Sequence, residues 1–141
     1  MGALRSARGG VQKTPDVVLG PQGANGGEAV EIGNEPGKYS DAEYRTLFQA
    51  MATGLRRGDP RIRIGTCAAN LGPSGRYSKS VDCLAGLAAL YDVINIHIYA
   101  EVEPWPTWRR SYPEDPKTKF LENIQHVLTW RAQNAPDKEV W

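Results

Sequence analysis

Several things are scarce in this chain, and each scarcity narrows its chemistry. There are only two cysteines, Cys67 and Cys83. Their spacing makes no metal motif, which needs close pairs or partner histidines. One lies in a strand pattern and the other in a helix pattern, so both are expected to be buried free thiols. No charge of one sign dominates, since 17 basic and 16 acidic residues leave a net charge of +1. The densest basic stretch is Arg56, Arg57, Arg61 and Arg63. It falls at a helix end and a strand start, where cations suit the helix dipole. No aromatic ladder is interleaved with it, so a nucleic-acid surface is not expected. No apolar run approaches the roughly 18 residues that suggest a membrane span. The opening Met1-Gly2-Ala3-Leu4-Arg5 lacks the hydrophobic core of a secretory signal. The compartment stays open.

What is present is the composition of a folded domain: 40% hydrophobic and 23% charged residues in a chain of 141. That supports a buried core and argues against disorder. The chain divides in two. Segment 1–27 is Gly-rich and poorly patterned, with Val17-Val18-Leu19 as its one apolar cluster, and is expected to be irregular. The glycine run Gly20–Gly27 resembles a phosphate-binding loop, but it leads into a strand pattern and does not lie between a strand and a helix. Segment 28–141 is regular and is read as the folded domain.

Within that domain the hydrophobic period alternates between about 2 and about 3.6. Ala29–Gly33 predicts a strand. Ser40-Asp41-Ala42-Glu43 is a capping box, and Tyr44, Leu47, Phe48, Met51 and Leu55 follow at helical spacing. Gly58 with Asp59-Pro60 ends that helix. Arg61–Ala68 predicts a strand. Val81, Leu84, Leu87, Ala88 and Tyr91 predict a second apolar helix face. Val93–Tyr99 predicts a third strand, and 100–115 a long Pro- and Trp-rich loop. Asp115-Pro116 starts a third helix with Phe120, Leu121, Ile124, Val127 and Leu128 inward. Lys138–Trp141 begins a fourth strand. This β-α-β-α-β-α-β order implies an α/β fold of parallel βα units.

Two strands carry polar chemistry. In Val93–Tyr99, Ile94, Ile96 and Ile98 share one face, and Asn95, His97 and Tyr99 share the other. Both faces of a parallel sheet are normally covered, so a polar face needs partners or a cavity. A solvated edge strand is the simpler alternative. In the first strand, Val30 and Ile32 face one way, and Glu31, Gly33 and Glu35 the other. Pro36 and Gly37 stop the strand and leave Asn34 and Glu35 at its C-terminal tip. Trp105 and Trp108 in the loop are either a stacking platform for sugar rings or an aromatic lid packed on its own domain. His126 is expected at the surface, and Trp130 as a packing or surface aromatic.

Glu31-Ile32-Gly33-Asn34-Glu35-Pro36, followed two strands later by His97-Ile98-Tyr99, resembles the clan of retaining (β/α)8-barrel glycoside hydrolases that includes the cellulases and mannanases. The resemblance spans roughly 28–141 and implies a partial TIM barrel, strands four to seven. A whole barrel needs about 250 residues. The resemblance implies that Glu35 is the catalytic acid/base and that Asn34 contacts the sugar 2-hydroxyl. His97 would contact substrate or orient Glu35, and Tyr99 would hydrogen-bond the nucleophile. The implied partner is a carbohydrate whose glycosidic bond is hydrolysed with retention, with no metal and no organic cofactor.

Retention requires a second carboxylate roughly 5–5.5 Å from the first. The clan places it two or three residues beyond a stretch like Lys138–Trp141, where this chain ends. Glu139 lies at the start of that strand and is not expected to replace it. The usual Arg of strand two and Trp of strand eight are not recognisable. The expectation is therefore an incomplete hydrolase site that needs further barrel segments of the same parent. The alternative is a non-catalytic carbohydrate-binding or vestigial barrel remnant. A doubly wound nucleotide-binding fold would need a glycine loop after a strand, which is not found. The hydrolase reading makes one geometric demand: Glu35, His97 and Tyr99 must meet.

Overall fold

The computed structural model describes Val17–Leu19 and residues 29–70, 72, 77–103 and 106–141. Among the described residues, seven strands run in chain order: β1 Val17–Leu19, β2 Ala29–Ile32, β3 Arg63–Gly65, β4 Ala69–Asn70, β5 Lys79–Ser80, β6 Val93–Ile94 and β7 Glu139–Val140. Two α-helices, α1 Asp41–Gly58 and α2 Phe120–Asn134, connect them together with short 3-10 turns. The main sheet has the order β1-β2-β3-β6-β7. From β2 to β7 every pairing is parallel. The α/β class and the parallel βα units are therefore present. β1 is a strand where an irregular segment was expected, and it pairs antiparallel to β2. A barrel of parallel strands would carry a parallel neighbour there.

The first helix forms as its sequence dictates. The Ser40 hydroxyl accepts from the Glu43 N–H, and the Glu43 carboxylate accepts from the Ser40 N–H at 2.8 Å. Tyr44, Phe48 and Ala52 recur every fourth residue and are fully buried. They pack among Ile32, Ile64, Cys67, Leu84, Tyr91 and Ile94 in one core. The Phe48 and Tyr91 rings meet edge to face at 6.2 Å. At the far end of the strands, Arg56 joins Asp92 at 2.5 Å, and Asp92 accepts the Ile64 N–H.

The second predicted helix is not one. Residues 81–91 form two 3-10 turns, Val81–Leu84 and Ala88–Leu90. Gly86 sits between them at φ +76°, which a right-handed helix cannot include. The inward residues still reach the core, and Cys83 lies in a turn as a buried free thiol, as does Cys67 near its strand end. Strand Arg61–Ala68 is also shorter than expected. It ends at Gly65, and Ala69–Asn70 joins Lys79–Ser80 in a separate two-stranded sheet. Lys79 is buried there, donating to the Tyr39 carbonyl and facing Asp41 at 3.3 Å.

α2 is rotated from its expected orientation. Val127 and Trp130 are its buried residues, whereas Leu121 and Leu128 are 55% and 38% exposed. Trp130 is a packing residue, since it is buried in the core cluster with Val127. His126 is exposed, as expected.

The Tyr44 phenol joins two strand ends. It donates to the Ile32 carbonyl at 3.0 Å and accepts from the Cys67 N–H at 3.0 Å. Replacing Tyr44 with Phe keeps the ring and leaves both backbone groups unpaired in the core. The expected loss is about 1–3 kcal/mol, measured as a lower urea midpoint with an unchanged slope. An unchanged midpoint would show that water or a backbone shift replaces the phenol.

Candidate functional site

Beyond Ile32 the chain leaves the sheet through left-handed backbone. Gly33 has φ +89° and Glu35 φ +47°. A Cβ on Gly33 would stand 3.2 Å from the Tyr44 ring, so conformation and space both select glycine. Glu35 has no such excuse, and a non-glycine residue there is uncommon and strained. The bend swings its carboxylate towards the strand end of β6.

The segment after β6 is held from both sides. The Asn95 N–H donates to the buried Thr66 hydroxyl at 3.1 Å, and Ala69 N–H donates to the Asn95 carbonyl. On the other side, Ile96 N–H donates to the Trp141 carbonyl at 2.9 Å. Alternation then sends Asn95, His97 and Tyr99 to one face. The Tyr99 hydroxyl donates to Glu35 Oε1 at 2.9 Å, and His97 Nδ1 stands 3.4 Å from the same oxygen. The structure thus brings Glu35, His97 and Tyr99 together. The bond to the Glu35 carboxylate is the main cause that raises the Tyr99 phenol above its ordinary range.

The remaining expected residues are placed differently. Asn34 is exposed at the tip, outside the Glu35–His97–Tyr99 hydrogen-bond group. Trp108 is 52% exposed and sits at φ +48° in a hairpin pinned by Glu101 and Arg110. It is therefore not an aromatic lid packed inward. Trp105 lies outside the described residues. The Arg110 guanidinium lies over the Tyr99 ring at 5.4 Å. Glu139 is occupied at the opposite end of the sheet, 2.8 Å from Arg63 and accepting from the Trp141 indole N–H. The Arg63 hydrogen bond holds its carboxyl below the usual range. No group of three or more metal-ligating side chains suits an ion among the described residues.

Sequence reasoning missed two members. Glu31 points into the site from β2, with its side chain only 12% exposed and Oε1 3.7 Å from His97 Nε2. That oxygen is buried without a hydrogen-bond partner. The alternation that puts Glu31 on one face with Glu35 is the sequence signal for it. Tyr77 meets the Tyr99 ring edge to face at 5.8 Å, and the buried Asn70 side chain hydrogen-bonds its phenol. Nothing in the local sequence marks Tyr77.

Burial pushes the Glu31 carboxyl above its ordinary value. The His97 charge and an Asn95 side-chain hydrogen bond pull it down, and the Glu35 charge raises it slightly. No family model matches the chain, and comparisons with curated proteins and with solved structures gave no match.

The raised Glu31 value fixes a sign. A carboxyl raised in the folded state favours its protonated form there, so its contribution is fully present below the unfolded value of 4.5. That contribution is lost as pH rises through the folded value. Glu31→Gln should therefore be more stable than wild type at pH 7, and the gap should close below pH 4.5. Thermal midpoints of both proteins across that range would show it. A gap that widens on acidification would refute the assignment.

Proposed function

We propose that this chain is part of a retaining (β/α)8-barrel glycoside hydrolase, with β2, β3, β6 and β7 as strands four to seven, and that it binds a carbohydrate over Glu35. One observation carries the reading. A carboxylate at the end of one strand accepts from Tyr99 at 2.9 Å and faces His97 at 3.4 Å, both from a strand two places along the parallel sheet. Glu35 is half-exposed, so a leaving-group oxygen can reach it. It would donate its proton to that oxygen and later take one from water. Asn34 at the exposed tip would meet a sugar hydroxyl. Trp108, displayed on its hairpin, would stack on a neighbouring ring. No metal or organic cofactor enters this chemistry.

The second carboxylate would come from further barrel segments of the same parent. A second reading has its own support. Glu31, the other carboxylate facing His97, comes from β2, the strand that leads to Glu35, so both carboxylates at the ring lie on one segment of the chain. That arrangement favours a carbohydrate-binding remnant without turnover.

Titration of the labelled chain with β-linked gluco-, manno- and xylo-oligosaccharides tests both. Chemical-shift changes are expected at Glu35, His97, Tyr99 and the 100–111 hairpin. Loss of one stacking ring in Trp108→Ala should weaken binding by about tenfold. Reducing-end release by the full-length parent that disappears in Glu35→Gln selects the hydrolase, and binding without release by that parent selects the remnant. Silence at all of these residues for every sugar would sink both.

A further inference from the structure

Glu31 is the group the proposed chemistry does not use, and it is the least comfortable polar side chain in the site. Its carboxylate is nearly buried, Asn95 hydrogen-bonds it, and Oε1 has no donor within bonding distance. His97 Nε2 stands 3.7 Å from that oxygen, while Nδ1 of the same ring stands 3.4 Å from Glu35 Oε1. One imidazole therefore sits between two carboxylates, with one nitrogen towards each.

A neutral imidazole has a single N–H and a single lone pair. It cannot donate to both carboxylates, so they compete for one proton. The competition is unequal. Glu35 is 35% exposed and already accepts from Tyr99, so water and the phenol satisfy it. Glu31 is 12% exposed with an orphaned oxygen, and an unpaired buried carboxylate oxygen is costly. The single proton therefore belongs on Nε2.

We propose that Glu31 is a positioning residue of this site: its buried charge, 3.7 Å from Nε2, holds the imidazole proton on that nitrogen and leaves the Nδ1 lone pair facing Glu35. An Nδ1 lone pair accepts only from a protonated Glu35 carboxyl, so this tautomer suits the form that a general acid needs. The step needs no proton from elsewhere. When Glu35 gives its proton away, the ring keeps its Nε2–H, and Tyr99 remains the donor to the new carboxylate. The catalytic meaning rests on reading Glu35 as the acid/base; the tautomer itself does not.

The other charged and titratable groups around the ring do not provide this. Tyr99 and Tyr77 are neutral phenols, and Arg110 lies over Tyr99. Glu101 acts on Tyr77, and the Cys67 thiol, pushed up to about 12 by burial, is neutral beside Glu31.

The test is ring nitrogen-15 spectroscopy of His97 in the free chain, above the pH at which the imidazole loses its charge, with His126 assigned by His126→Gln. Wild type should show the Nε2–H tautomer as the dominant form. Glu31→Gln, which keeps shape and removes charge, should lose that dominance and show both tautomers. Glu31→Asp should restore at least part of it, and Glu35→Gln should leave it in place. An Nδ1–H ring in wild type, or identical ring signals in wild type and Glu31→Gln, overturns the proposal. An Nδ1–H ring in wild type overturns the proposal even where a variant fails to fold. Because no saccharide is added, failure here is separate from failure to bind carbohydrate.

Discussion

The Tyr44 phenol is the constraint on which the site depends. One hydroxyl donates to the last carbonyl of β2 and accepts from the backbone just beyond β3. It sets how closely two parallel strand ends approach, and it does so from inside the core, where neither backbone group has water as an alternative. The same ring fills the space beside Gly33, so only glycine fits at the left-handed exit that carries Glu35 towards β6. Helix packing, strand spacing and carboxylate placement thus meet at one side chain. Burial raises that phenol well above its ordinary range, so it stays protonated and remains a donor at neutral pH.

A second layer of constraint acts on the other side of the site. Thr66 is fully buried, yet its hydroxyl is used twice, accepting from Asn95 N–H and donating to the Cys67 carbonyl. It lengthens β6 in effect, because the regular ladder stops at Ile94 while the polar face begins at Asn95. His97 and Tyr99 are therefore aimed by a side-chain bond and by the terminal backbone of β7, not by a long strand. The arrangement gives the segment order without covering its polar face, which is what a site open to a ligand requires. The strain at Glu35 and Trp108, both at positive φ, falls on residues displayed at the same end of the sheet.

Much of this was legible in the residues. Capping by Ser40 and Glu43, the Tyr44–Phe48–Ala52 stripe and the Gly58 end are local, and local chemistry decided them. The polar face of Asn95, His97 and Tyr99 was also legible, since alternation is a property of any extended chain. Other features were not. Residues 81–91 have helical spacing but fold as 3-10 turns, because Gly86 takes a left-handed conformation that the apolar pattern does not reveal. The face of α2 was misjudged at Leu121 and Leu128, since a helix with apolar residues on several sides is oriented by its neighbours. The alternation that put Glu31 and Glu35 on one face was right about Glu31 and right about Glu35 for a different reason. The strand has ended by Gly33, and the bend, not the pleat, delivers the second carboxylate.

The sequence by itself determined the alternation of strands and helices, the caps and the types of side chain at two strand ends, because each depends on residues within a turn or two of one another. Only the tertiary structure decided that Glu31 would be buried, that one histidine would stand between two carboxylates, and that Tyr77 would back Tyr99. Those facts depend on distances between segments far apart in the chain, and such distances are set by how Tyr44, Thr66 and the core pack, which no local pattern encodes.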